Sequence, residues 1–322
     1  MVENQMTLGL TFVDPLVQSP TWDIVDSSKL SAFMDCPRRF FFEYILGWRS
    51  EQKNNHLIFG HAWHKAMEHL LLRGYSKPEV LVAYELFEQD YRQHFPLQET
   101  DELFEPKTPF NAFKALCMYA LQYASDMYEF STEHTEIGGR ISLSEDYHLH
   151  FRMDSLNTLK DGTPMSLEHK TTGSASRQWV DQWSLSLQVG TYTHVMKCLF
   201  PNAQSVQCVV NGTIFQKTKI DFKRVPVHKR AQHMSIWLNN TLSWVEMLRA
   251  EYMNLAACRE GDSVLMAFPM NTGSCTKYFG CPYHVYCCAW PNPLQQCDQP
   301  PTGMIVEHWN PMDEEIKHKV EV

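Results

Sequence analysis

No run of apolar residues in this 322-residue chain approaches the roughly 20 that a membrane-spanning helix requires, so no membrane partner is expected. Positive charge is also scarce. The 28 Lys and Arg stand against 37 Asp and Glu, a formal net charge of -9, which argues against a protein that coats nucleic acid by bulk attraction. A local grip is still open, because basic residues gather at Arg38 and Arg39 and again at Lys217, Lys219, Lys223, Arg224, Lys229 and Arg230. For any one of these clusters a solvated face is the simpler reading. The chain has no internal repeat, no low-complexity segment, and no cysteine triplet with three and then two intervening residues, which argues against radical chemistry. It carries Glu3 where a secretory signal would be basic, so the expectation is a soluble cytoplasmic protein.

What is present is a globular composition, 44% hydrophobic and 12% aromatic, in a chain long enough to bury a substantial core. The ten cysteines lack a secretory context, which favours metal ligation over disulfides. Three of them, Cys275, Cys281 and Cys287, follow one another with five residues between each pair, and Cys36 is the candidate for a fourth ligand. Four thiolates hold a cubane iron-sulfur cluster or a zinc ion. Structural zinc prefers shorter spacings, which favours the cluster, while His284 and Cys288 keep zinc open. The other six cysteines, Cys117, Cys198, Cys208, Cys258, Cys288 and Cys297, show no ligand spacing and read as core or incidental residues.

Residues 1–23 lack periodicity and read as an arm. Ser27 and Ser28 cap a helix expected to reach about Leu46, and further helices are expected near 59–73, 78–94 and 109–131. The period then changes from helical to alternating. A strand is expected from about Arg140 to Ser155, a hairpin turn at Asp161-Gly162, and a returning strand over Thr163 to Thr171. Helical spacing resumes over 178–200, strands are expected over 205–216 and 220–227, and a long helix over 227–259. The segment 292–322, rich in proline and charge, reads as a loosely ordered tail.

Glu168 and Lys170, two apart on one strand, share a face, and the hairpin can bring Asp154 beside them. Paired carboxylates bind a hard divalent cation such as magnesium or manganese, which lowers the pKa of a bound water, and an adjacent ammonium steadies a phosphodiester under attack. Alone, this triplet is also the pattern of an ordinary solvated strand face. Its company adds weight. His64, on a helix ahead of the strands, could complete a coordination shell and shift preference toward manganese. Gln188 and Tyr192, four apart on the following helix, occupy one face.

In order along the chain, Leu30-Ser31 to Cys36-Pro37-Arg38-Arg39-Phe40, Gly60 with His64, Asp154, Glu168-x-Lys170, Gln188 with Tyr192, and Cys275, Cys281 and Cys287 resemble the PD-(D/E)XK nuclease superfamily. The resemblance is to its RecB/AddB-like branch, which includes CRISPR-associated and phage exonucleases with a four-cysteine [4Fe-4S] cluster. It implies an α/β restriction-endonuclease-like domain over residues 24–291, with a mixed central sheet flanked by helices, a helical N-terminal insertion and an iron-sulfur staple joining the two ends. It further implies His64, Asp154, Glu168 and the His169 carbonyl as metal ligands, Lys170 as the catalytic lysine, Gln188 and Tyr192 as the motif after the core, and Cys36, Cys275, Cys281 and Cys287 as cluster ligands. Two departures stand out: five residues rather than the two of AddB separate the second and third cysteines, and Cys288 beside Cys287 leaves the fourth ligand ambiguous; Arg152 and Met153 also stand where the family often has smaller or aliphatic residues, with Asp154 retained.

The expected activity is metal-dependent hydrolysis of DNA, as an exonuclease on single-stranded or end-exposed DNA in recombination, repair or phage replication, with a helicase or recombination protein as partner. The other readings are a non-catalytic DNA-end binding module and a zinc-stapled adaptor.

Overall fold

A computed structural model describes residues 10–12, 14, 16–277, 280–312 and 316–321. Its strands are β1 (Trp48–Ser50), β2 (Phe130–Ser142), β3 (His148–Leu159), β4 (Pro164–Thr172), β5 (Gln207–Phe215), β6 (Ile220–Val227), β7 (Met304–Val306) and β8 (His318–Glu321). The helices are α1 (Ser27–Asp35), α2 (Pro37–Phe40), α3 (Asn55–Arg73), α4 (Lys77–Arg92), α5 (Pro109–Gln122), α6 (Asp126–Glu129), α7 (Arg177–Asp181), α8 (Leu187–Leu199), α9 (Ala231–Ala257) and α10 (His284–Ala289). Six strands form one mixed sheet in the order β6-β5-β4-β3-β2-β8, flanked by helices. The β4/β5 and β2/β8 pairs are parallel and the others antiparallel. This is the α/β architecture expected from the sequence.

Among the described residues, a small third cluster of Met165, Leu167 and Val209 accompanies two large apolar cores, which divide the work. The larger gathers α1, the sheet, α8, α9 and an aromatic corner around Phe268. The smaller joins α3, α4 and α5 to Phe215, Ile220 and Phe222 on β5 and β6. The tie between lobe and sheet is polar as well as apolar: Arg224 of β6 donates to the buried Asp126 carboxylate and to the Tyr119 hydroxyl of α5.

Several sequence expectations need correction. The single helix expected from 27 to 46 is broken at Cys36, where the backbone is extended and Pro37 starts α2, and it ends in a π turn over Phe41–Ile45. The helix expected over 109–131 stops at Gln122, and the strand expected from about Arg140 to Ser155 is two strands: β2 begins earlier, at Phe130, and ends at Ser142, and the polar Ser144-Glu145-Asp146 makes a turn before β3 starts at His148. In the segment read as an arm, Leu16 and Trp22 are buried in the large core, and the Trp22 indole donates to Ile45 O at 3.1 Å. Residues 1–9, 13 and 15 of that arm lie outside the described residues.

The segment read as a loose tail carries two strands. β7 pairs antiparallel with β1, and β8 adds to the sheet edge beside Gly138 and Gly139. A Cβ at Gly139 would sit 1.6 Å from Val320 O, so β8 can dock only where β2 lacks side chains.

Candidate active site

The site begins where two strands part. β3 and β4 pair at Leu156/Ser166, Asn157/Met165 and Thr158/Pro164, and continuing this register sets Asp154 opposite Glu168. Past the last paired residues, side chains of β3 take over the ladder bonds. Ser155 Oγ donates to Leu167 O at 3.1 Å, and Asp154 Oδ2 accepts the His169 backbone N–H at 2.7 Å. Asp154 is thus fixed by a backbone donor that would otherwise be an orphan.

Glu168 and Lys170 project from one face of β4, with Lys170 Nζ 2.6 Å from Glu168 Oε1. From α8, Gln188 Nε2 donates to the same Oε1 at 3.0 Å and lies 2.8 Å from the Tyr192 hydroxyl, which in turn donates to Arg152 O. Glu168 Oε2 is left buried without a partner. From α3, His64 Nδ1 reaches to 3.1 Å from Asp154 Oδ1, within charge contact but not aligned for a hydrogen bond. These side chains, all but His169, line one cleft of about 200 Å³ together with Asp26, Ser27, Ser28, Phe151, Arg152, Trp309 and Pro311.

Electrostatics separates the two carboxylates. Burial favours the neutral acid at both. At Asp154 the contacts with His64, His169 and Lys170 outweigh burial and hold the carboxyl below its ordinary value. At Glu168 burial and the neighbouring Asp154 prevail over Lys170, and the carboxyl is pushed up. Lys170 would be lowered by burial, but Glu168 and Asp154 raise it and keep it an ammonium. His64 is raised in the same way by Asp154 against its burial. The His169 ring points elsewhere, hydrogen-bonded to Asn211 at 3.0 Å, and burial drives it down to about 3, so it is neutral.

One acid escaped the sequence reading. Glu136 of β2 sits behind Asp154 at φ 46, 3.5 Å from Arg152 Nε, and burial followed by Asp154 raises it to about 7. No sequence signal marked it, because that stretch was not read as strand. Trp309 and Pro311 were missed for a different reason, since nothing in the sequence says that their segment returns to the cleft.

The cysteines form a second locality. Cys36 lies at the α1–α2 break, where its Sγ accepts the Asn271 N–H at 3.4 Å. The Cys281 N–H donates to Cys275 O at 2.9 Å. Burial first, then the nearby Cys281, Cys36 and Cys275, push the Cys287 thiol up to about 11, against the lowering effect of Arg38. Cys36, Cys275, Cys281 and Cys287 are therefore within electrostatic reach of one another, while Cys288 is exposed and lies 3.8 Å from His284 Nε2. Among the described residues, no three or more His, Cys, Asp or Glu side chains stand grouped so as to hold a metal ion. The buried, unpartnered Glu168 Oε2 beside Asp154 nonetheless gives the cleft a donor set that fits a hard cation.

Comparison with known proteins is consistent with this geometry. No curated protein matches the chain. A solved structure titled "Crystal structure of SSO0001" is similar at 13% identity, over 72% of this chain and 78% of that one, with a TM-score of 0.31, which is too loose to carry an argument. The family model of the PD-(D/E)XK nuclease superfamily matches residues 27–288, across α1, the sheet core and the cysteine segment, and the chain belongs to that superfamily.

Proposed function

We propose that the chain is a divalent-metal-dependent deoxyribonuclease that acts as an exonuclease on single-stranded or end-exposed DNA. The observation that carries this reading is the meeting of Asp154, Glu168 and Lys170 at one cleft, with Glu168 Oε2 free of any hydrogen bond. His64, Asp154, Glu168 and the His169 carbonyl would hold the ion. Bound magnesium or manganese supplies an acidified water and a sink for phosphoryl charge.

The chain's own side chains do the rest. Lys170, held as an ammonium, donates to a phosphate oxygen or to the attacking water and stabilises charge that develops there. Gln188 pins Glu168 Oε1 and so turns Oε2 toward the ion site, and Tyr192 positions Gln188. Cys36, Cys275, Cys281 and Cys287 would hold a [4Fe-4S] cluster that ties α1 to the 275–287 segment and couples its loss to unfolding. A role in recombination, repair or phage replication, beside a helicase or recombination partner, rests on the resemblance of this cysteine frame to the RecB/AddB-like branch.

The test is cleavage of labelled single-stranded DNA with magnesium or manganese by the anaerobically purified protein, with Lys170→Ala in parallel. Cleavage is expected to fall by about 100-fold or more in the variant. If neither protein cuts while both retain iron and sulfide, the DNA-end binding module replaces the nuclease. Zinc in place of iron and sulfide would replace the cluster with a zinc staple.

A further inference from the structure

The cleft has a polar floor and an apolar wall, and the wall comes from outside the part of the chain that defines the family. Asp154, Glu168 and Lys170 form the floor, whereas Phe151, Trp309 and Pro311 line the side. Trp309 and Pro311 lie beyond the family match at 27–288. Their backbone is tied down next to the cleft: β7 pairs with β1, and the Glu307 N–H donates to Gly47 O at 2.7 Å. Further on, the Lys317 N–H donates to Glu136 O at 3.0 Å, immediately before β8 joins the sheet.

The indole has two neighbours from the N-terminal helical region. Lys29 Nζ lies 5.9 Å from the Trp309 ring and the Tyr44 ring centroid 6.2 Å from it. Lys29 is itself fixed by donation to Thr21 O at 2.6 Å. Trp309 is only half-buried, so part of it remains open to the cleft. A flat aromatic lining the same cleft as Lys170 and two carboxylates, which would hold a phosphate through a bound cation, suits a ligand with a charged end and a flat apolar end. A nucleotide unit in single-stranded form has both, and every base offers a π face for stacking. A cleft of about 200 Å³ has room for an unpaired unit rather than a stacked duplex.

We propose that Trp309 is the nucleobase platform of this cleft, stacking one unpaired base of a strand whose phosphodiester lies on the Asp154–Glu168 floor. The proposal rests on the nuclease reading and names the substrate class it takes. Trp309 contacts the base and fixes register along the strand; it takes no part in bond breaking.

The test separates binding from cutting. Binding of a single-stranded oligonucleotide is measured in a Lys170→Ala background, with Trp309, Trp309→Phe and Trp309→Ala, on intact strands and on strands with one abasic unit scanned along the sequence. Trp309→Ala is expected to weaken binding roughly 5- to 150-fold, with Trp309→Phe recovering most of it. One abasic position should cost a comparable factor with Trp309 present and add nothing in the alanine variant. Equal binding by a folded Trp309→Ala protein, or an abasic penalty that ignores residue 309, would overturn the platform. If the alanine variant does not fold, the abasic scan on the intact indole decides, and no position-dependent penalty rules the platform out. Cleavage by the Lys170-bearing protein is scored separately. Base-dependent binding without cleavage keeps the platform and loses the nuclease, whereas cleavage without base dependence does the reverse.

Discussion

The carboxylate cleft and the cysteine corner both bring together side chains from separate parts of the chain, by opposite means. In the cleft, each carboxylate has one oxygen committed to a hydrogen bond from strand or helix, Asp154 to the His169 N–H and Glu168 to Lys170 and Gln188. Strand register sets the geometry before any ion arrives. At the corner, Cys36 sits at a helix break, Cys275 and Cys281 lie in loops, and Cys287 is on the short helix α10. Several bonds hold these pieces together: Asp35 accepts from Asn271, Ser274 and Lys277, and beside it stands the buried Arg38. It donates from Nε to Phe268 O at 2.9 Å and from its terminal nitrogen to Leu265 O at 3.0 Å and Ala267 O at 3.4 Å. The difference teaches that the side chains of the cleft are preorganised by the sheet, whereas closure at the corner rests on hydrogen bonds from α1 and α2 to the 265–277 segment, those of the buried Arg38 among them.

If that contrast holds, variants at the corner should lower stability and spare the geometry of the cleft. The largest effect is expected from Arg38→Leu, which leaves three carbonyls without their donor and removes support from Phe268, a non-glycine residue at φ 52. Loss of about 3–5 kcal/mol is expected by chemical denaturation; a change below about 1 kcal/mol would show that the corner holds without it. Cys281→Ala comes next. On the proposed cluster, it should bleach the visible absorption and cost about 2–5 kcal/mol, the scale of a lost covalent staple. An unchanged spectrum would remove Cys281 from the ligand set.

The smallest effect probes how firmly α3 presents His64. Asp90 of α4 accepts from His61 and Lys65 of α3. Burial would raise its carboxyl, but those two donors prevail and hold it below the usual carboxylate range. Its contribution is therefore complete above the unfolded value of about 3.9 and is lost as pH falls through the lower folded value. Asp90→Asn should cost about 1 kcal/mol at pH 7, given the exposure of both partners, and the gap to wild type should close as pH falls below the unfolded carboxylate value. A gap independent of pH would mean that the carboxylate charge contributes nothing.

The cleft was more legible in the sequence than the fold around it. Asp154, Glu168 and Lys170 could be placed because the Asp161-Gly162 turn and the alternation on either side fix a hairpin register from local residues alone. His64, Gln188 and Tyr192 came from the family resemblance, because helical spacing alone fits surface or packing residues equally well. β7 and β8 were not legible because their partners are far away in sequence, and the permission for β8 to dock resides in Gly138 and Gly139, not in β8. The early start of β2 was obscured by two irregularities, a register shift at Glu133 between Thr132 and His134 and the left-handed backbone of Glu136.

The Arg38–Phe268 contact joins residues 230 positions apart, and Phe33 and Phe40 pack on the same Phe268 ring at 6.3 and 5.9 Å. A ribosome adding about 5–20 residues per second needs roughly 10–50 s to cover that distance. For that interval the aromatic face of α1 and α2 has been made and the residues that will cover it have not. The nascent chain therefore carries a sticky, uncovered patch through most of its own synthesis, and its yield in a cell depends on what shields those rings in the meantime.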